Sequence, residues 1–138
     1  EPLSGYLHVG AMLGIHRDEK LCGAWNFGPG RLSEKTVGEL CDAVVQRWGS
    51  GAWTAPDPGP AVVHEAGLLN LAIDKARHYL GWQPVWDFDR TIDRTVSWYR
   101  RNQESKSDRD TMLEETQRHI QEFMRDARAM QMQWAETE

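Results

Sequence analysis

A glycine-rich turn near the amino terminus has the residue types that could hold a phosphate group. The stretch GAWNFGPGRLS, residues 23–33, is an apolar run followed by Gly28, Pro29 and Gly30. A dinucleotide fingerprint needs G-x-G-x-x-G after a strand, so that the backbone can approach the pyrophosphate and the helix can pack closely on the strand. Here Ser33 stands at the third glycine, and Pro29 removes a backbone N–H from the turn. We therefore predict a capped strand-to-helix junction and not a cofactor site.

The residue types that bind metals are present but are not grouped. Cys22 and Cys41 cannot complete a four-ligand zinc site by themselves, and neither belongs to a C-x-x-C pair. His8 and His16 lie too far apart to act together. We therefore predict two reduced thiols and no metal site.

Charge and hydropathy exclude two further classes of function. The 138 residues carry a formal net charge of −5 without a basic cluster, which argues against a nucleic-acid groove. No apolar run approaches the roughly 18 to 20 residues of a membrane span. The chain starts Glu1-Pro2-Leu3 without a methionine or a signal peptide, which is typical of a cut end. We expect a soluble, cytoplasmic protein with no nucleic-acid or membrane partner.

The hydrophobic pattern predicts helices interspersed with short strands. Helices are expected over 2–15, from Thr36 to Trp48, over 74–80, over 89–101 and from Thr111 to Trp134, and short strands over 23–27, around Trp53 and over 68–73. Thr36 and Glu39 have the spacing of a capping box, and Gly49 is expected to end that helix. The fold class expected from this pattern is mixed α/β, rich in helix, with a helix at the carboxyl terminus.

The chain divides by composition into three parts. Residues 1–101 form one lobe, residues 102–110 are a polar hinge, and residues 111–138 carry a terminal amphipathic helix with apolar residues in a/d register. That helix either provides a docking or pairing face for itself or a full-length partner, or folds back on its own domain.

Several phrases together resemble the carboxy-terminal part of the CDP-glucose 4,6-dehydratase family, within the extended short-chain dehydrogenases/reductases. They are EPLSGYL (1–7), WNFGP (25–29), HEAGLLNL (64–71), KARHYLGWQPVW (75–86) and TVSWY (95–99). The likeness covers residues 1 to about 124, and the order and spacing of the phrases agree. Residues beyond Met124 are interpreted as an added extension.

The resemblance implies a small substrate-binding lobe over 1–101 that closes over a nucleotide-sugar, while a separate Rossmann lobe holds NAD. In this family NAD takes a hydride from C4 of glucose, water leaves across C5 and C6, and the hydride returns at C6. The family's catalytic Tyr-x-x-x-Lys pair is absent here, because Tyr6, Tyr79 and Tyr99 are not followed by lysine four residues later. No catalytic or cofactor-binding residue is therefore assigned, and no cofactor is expected on this chain.

Four residues are the candidates for contact with a nucleotide-sugar. His64 and Glu65 follow a Gly/Pro loop and could hydrogen-bond ribose or base edges, although a structural surface pair is the alternative. Trp53 could stack on cytosine or pack structurally. Lys75, with Arg77, could meet a diphosphate or remain a charge on a helix surface.

Two functions are compatible with these observations. The first is the carboxy-terminal CDP-sugar-binding portion of a dehydratase, inactive alone. The second is a non-catalytic remnant that acts as a binding or oligomerisation module.

Overall fold

The computed structural model describes residues 1–55 and 70–136, which form five α-helices joined by turns and irregular chain. The helices are α1 (Pro2–His16), α2 (Val37–Trp48), α3 (Asp74–Leu80), α4 (Phe88–Glu104) and α5 (Arg109–Ala129). Short 3-10 turns lie at Glu19–Leu21, Arg31–Ser33 and Gln133–Ala135. No helix in the described ranges is both long and apolar enough to cross a membrane.

The expectation of a mixed α/β fold is wrong, because the described residues contain no β-strand. Residues 23–27, residues 51–55 and the described end of 68–73 are irregular chain. The first and last of these segments do lie side by side, since the Asn26 side-chain amide donates to the Ala72 carbonyl oxygen at 3.3 Å. A strand pair would instead exchange main-chain hydrogen bonds in a ladder. Only Phe27 and Ile73 of these segments are buried, so the runs are loops anchored at single residues, although their hydrophobic pattern resembles that of buried strands.

The core of the amino-terminal part surrounds Trp82, which joins α1 and α3. Trp82 is fully buried, and its indole Nε1 donates to Ser4 Oγ of α1 at 2.9 Å. Phe27 packs edge-to-face on Trp82 with 4.9 Å between ring centroids. Gly5 is buried in α1 and lies directly against Phe27. The WNFGP turn therefore packs against the same core as α1.

Local sequence signals set the bounds of α2. The Thr36 hydroxyl accepts from the Glu39 amide at 3.2 Å, and the Glu39 carboxylate accepts from the Thr36 amide at 2.8 Å. Gly49 adopts the left-handed conformation, φ 87°, at the carboxyl end. The predicted capping box and glycine stop are confirmed.

Ion pairs connect α4 to both of its neighbours. Arg47 of α2 pairs with Asp89 at 2.6 Å and with Asp93, both on α4. On the other side, Arg94 of α4 pairs with Glu122 of α5 at 2.8 Å. Side chains buried in α4 add apolar packing to these contacts. The three helices thus form one layer.

The chain reverses direction twice near its carboxyl end. Residues 105–108 join α4 to α5, and Asp108 caps α5 by accepting from the Thr111 amide at 2.9 Å. A second reversal occurs at Gln131, which has a φ of 57°. Beyond it, the Trp134 ring stacks on Phe123 of α5 with centroids 5.8 Å apart. The tail therefore packs back onto α5.

Candidate functional site

A cavity of about 510 Å³ lies between the glycine-proline turn and the chain that enters α3. Its lining residues are Pro29, Gly30, Arg31, Asn70, Leu71, Ala72, Ile73, Asp74 and Arg77. Among the described residues, two guanidinium groups and one carboxylate line the cavity, and the Glu34 carboxylate lies at its rim. The volume is in the range of small-molecule sites, roughly 300 to 1,000 Å³. Both guanidinium groups of this lining can donate hydrogen bonds to an anionic group.

The glycine turn forms one wall of the cavity because the core holds it close to its neighbours. A Cβ on Gly28 would lie 3.2 Å from the Leu71 side chain, so a larger residue there would require Leu71 to shift by a few tenths of an ångström. The chain then forms the short 3-10 turn that begins at Arg31, and α2 begins only at Val37. The turn does not present a helix N-terminus to a phosphate, which is what a dinucleotide needs. The described residues therefore do not fit NAD at this turn.

The opposite wall is set by the orientation of α3. Ala76 and Leu80 are buried in the core, and Arg77 lies next to them at the cavity, where it donates to Gln83 Oε1 at 3.1 Å. At the rim, the Asn70 side-chain amide donates to the Glu34 carboxylate. The cavity thus has polar donors on both walls.

Lys75 and Trp53 do not line this cavity. Lys75 Nζ donates to the Ala24 carbonyl oxygen at 2.9 Å and lies 4.2 Å from the centroid of the Trp25 ring. Trp53 is 40% exposed, and its indole donates to Asp42 of α2 at 2.9 Å. The two side chains contact different elements, and their predicted roles in substrate binding stay predictions.

His64 and Glu65, the other two predicted site residues, lie outside the described residues. The described chain resumes at Asn70, which lines the cavity six residues after His64. Arg31 was not among the site residues predicted from the sequence. Its signal was available, because a cation directly follows a glycine-proline turn.

Glu1 anchors the start of α1 to the link that follows Trp82. Its carboxylate accepts from the backbone amides of Val85 at 2.9 Å and Trp86 at 2.8 Å. A smaller cavity of about 310 Å³ lies beside it, between α4 and α5. His119 lines that cavity, and burial holds the pKa of its imidazole below the usual value despite Glu115 at 3.0 Å.

Metal-binding side chains do not converge in the part of the chain that the structure describes. No group of three or more His, Cys, Asp or Glu residues there could hold an ion. Cys22 and Cys41 are both free.

Comparison with known proteins gives this chain a family. It is 40% identical over 100 residues to the CDP-glucose 4,6-dehydratase of Salmonella typhimurium. The chain belongs to the CDP-glucose 4,6-dehydratase family. The match includes 72% of this chain but only 27% of that relative, in its carboxy-terminal portion. The resemblance inferred from the sequence phrases is thereby confirmed.

Other comparisons add no further assignment for this dehydratase-family chain. No family model matches it, and no solved structure matches it significantly. The chain spans about a quarter of the length of its Salmonella relative.

Proposed function

We propose that this chain is the carboxy-terminal nucleotide-sugar-binding portion of a CDP-glucose 4,6-dehydratase. The observation that carries the proposal is the 40% identity over 100 residues to a dehydratase of that name. The full-length reaction would convert CDP-glucose to CDP-4-keto-6-deoxyglucose and water. The proposal assigns this chain a role in binding only.

The cavity beside the glycine turn supports binding of a nucleoside diphosphate. Arg31 and Arg77 bring cations from two separate elements to one cavity. Guanidinium groups bind phosphate oxygens through paired, charge-assisted hydrogen bonds. We propose that these two side chains bind the diphosphate, and that His64 and Glu65 contact the ribose or the base.

Catalysis and NAD binding belong, in this proposal, to the remainder of a full-length enzyme. The three tyrosines of this chain pack edge-on against other aromatic rings, and none is followed by the lysine of a Tyr-x-x-x-Lys pair. In the family's pair the lysine lowers the pKa of the tyrosine, so that it can accept a proton at neutral pH. We therefore expect no turnover by this chain alone.

Calorimetric titration with CDP, CDP-glucose and NAD tests the proposal directly. We expect saturable binding of CDP and CDP-glucose and no binding of NAD. Arg31→Ala and Arg77→Ala should each weaken the binding of CDP by at least about tenfold, since a charge-assisted hydrogen bond contributes about 1.5 to 3 kcal/mol. Arg100→Ala is the matched control, because Arg100 is an exposed α4 residue that pairs only at 4.0 Å with Glu104 among the described groups.

Two results would contradict this proposal. One is the absence of CDP binding at millimolar concentration by a chain whose helical circular-dichroism spectrum shows that it is folded. The other is an equal loss of affinity in Arg100→Ala, which would mean that overall charge and not the cavity binds the ligand.

A further inference from the structure

The chain that follows α5 turns back and packs along that helix. We call residues 131–136 the return segment. Met132 and Ala135 form a buried cluster with Ala127 of α5, and the Met132 amide donates to the Ala127 carbonyl oxygen at 3.0 Å. The Arg128 guanidinium of α5 donates to the Ala135 carbonyl oxygen at 2.9 Å. The return segment is therefore fixed to α5 by apolar packing and by hydrogen bonds.

The return segment also contacts the link that joins α3 to α4. Trp134 packs against the buried cluster that contains Trp82, at the start of this link. Three residues further on, Val85 packs against the cluster formed by Met132, Ala135 and their neighbour on α5. Two points of the link are thus held from the side of α5, although the link itself follows directly after α3.

Gln83 lies in the link between these two held points. Its side-chain oxygen accepts from Arg77 Nη2 at 3.1 Å, which is the one hydrogen bond of the Arg77 side chain among the described residues. Arg77 is exposed and lines the cavity beside the glycine turn. A long side chain that is already held in place loses less conformational freedom when a ligand binds. The position of Gln83 therefore affects how well Arg77 is prepared to bind an anion.

We propose that the return segment positions Arg77 at the cavity by fixing Gln83. The effect passes through Trp82 and Val85, which lie on either side of Gln83 and pack against the return segment. Trp134 and Gln83 are then positioning residues that do not touch the ligand themselves. Their effect on affinity rests on the proposed binding of CDP, whereas the fixing of the link does not.

Calorimetric titration with CDP tests this inference on two variants. Trp134→Ala and Gln83→Ala should each weaken the binding of CDP by about three- to tenfold, because the ligand must then order one long side chain by itself. Trp134→Phe should bind as the parent chain does, because an aromatic ring is kept at that position. In an Arg77→Ala background neither variant should weaken binding further, since the side chain that they position is absent. In an Arg31→Ala background both should.

Met112→Ala is the matched control for a general loss of stability. Met112 is buried in α5 and belongs to neither of the two clusters that the return segment contacts. Its truncation should destabilise the chain about as much as Trp134→Ala does and should leave the affinity for CDP unchanged.

Hydrogen exchange of the Trp82 amide gives a second measurement that needs no ligand. This amide donates to the Ala76 carbonyl oxygen at 3.2 Å, at the end of α3. Its protection is compared with that of the Val96 amide in α4, so that a change in global stability cancels. The ratio of the two protection factors should fall by at least about threefold in Trp134→Ala and should not fall in Met112→Ala.

Three results would overturn the inference in variants that circular dichroism shows to be folded. The first is an unchanged affinity for CDP in Gln83→Ala and Trp134→Ala, and the second is an equal loss of affinity in Met112→Ala. The third is a full further loss when either variant is combined with Arg77→Ala, which would show that neither acts through Arg77. If the parent chain does not bind CDP, the proposed function fails, and the exchange of the Trp82 amide decides the inference alone. An unchanged protection ratio in Trp134→Ala would then overturn it.

Discussion

Gly5→Ala provides the sharpest test of the packing that holds the WNFGP turn. An ideal Cβ on Gly5 would lie 2.2 Å from Phe27 Cδ1, 2.4 Å from Cε1 and 2.6 Å from Cγ. Carbon atoms in normal contact are about 3.5 to 4.0 Å apart, so the ring must move by more than about 1 Å. It has little freedom to move, because Phe27 is 5% exposed and packs edge-on between Tyr6 and Trp82.

The expected loss of stability follows from two opposing effects. Overpacking a core costs about 1 to 3 kcal/mol, and more where the neighbours cannot yield. Alanine in place of glycine returns up to about 1 kcal/mol within a helix. Since the Phe27 ring is confined, we expect Gly5→Ala to lower the free energy of unfolding by about 2 kcal/mol.

Gly10→Ala in the same helix is the matched control, because its Cβ would meet nothing within 4 Å among the described residues. The free energy of unfolding of this variant should rise by about 0.5 to 1 kcal/mol. The two alanine variants should therefore differ in this quantity by about 3 kcal/mol. Urea unfolding of both variants, followed by circular dichroism, measures the difference. Equal stability of the two variants would refute the packing of α1 on Phe27.

Three further results are expected. Lys75→Met should lower the free energy of unfolding by about 1 kcal/mol in thermal unfolding, because the ammonium contacts the Ala24 carbonyl and the Trp25 ring. The same variant should leave the affinity for CDP unchanged. A tenfold weaker affinity would instead support the predicted role of Lys75 in substrate binding. Trp134→Ala should lower the free energy of unfolding by about 3 kcal/mol, because the stacking on Phe123 is lost. Trp134→Phe should lower it much less, because the indole nitrogen of Trp134 has no hydrogen-bond partner in the described part of the chain. Burial lowers the pKa of His119 in the folded chain, so protonation favours the unfolded chain. The contribution of His119 to the free energy of unfolding should therefore be fully present above about pH 6.5 and should decline as the pH falls. His119→Gln should make the urea midpoint depend less on pH between pH 7 and pH 5 than it does in the parent chain. An equal dependence on pH in the two chains would contradict this role of His119.

Helix bounds that depend on local signals were predictable. Thr36, Glu39 and Gly49 act within a few residues of one another, so the limits of α2 follow from capping and from the left-handed freedom of glycine. The family was also recognisable, because the order of several phrases carries more information than any one of them. The strands were wrongly predicted because residues 23–27 and 70–73 are short apolar runs, and only their neighbours decide whether they pair.

The candidate site was partly visible in the sequence. The glycine-proline turn with the cation that follows it, and the start of α3 with Arg77, both line the cavity. Lys75 and Arg77 differ by two positions on α3, which places them about 200° apart around the helix. Burial of Ala76 and Leu80 decides which of them reaches the cavity, and that burial depends on Trp82 and the distant α1.

The sequence alone determined the family, the capped helices and the apolar character of α1, because these depend on motif order and on residues that are close along the chain. Only the tertiary structure decided that the predicted strands are loops, that Arg31 and Arg77 share one cavity, and that one side of α1 stays exposed. Each of these outcomes requires groups that are far apart in sequence to occupy the same space. The hydrophobic pattern shows that a residue can be buried, whereas packing of the whole chain determines which other residue buries it.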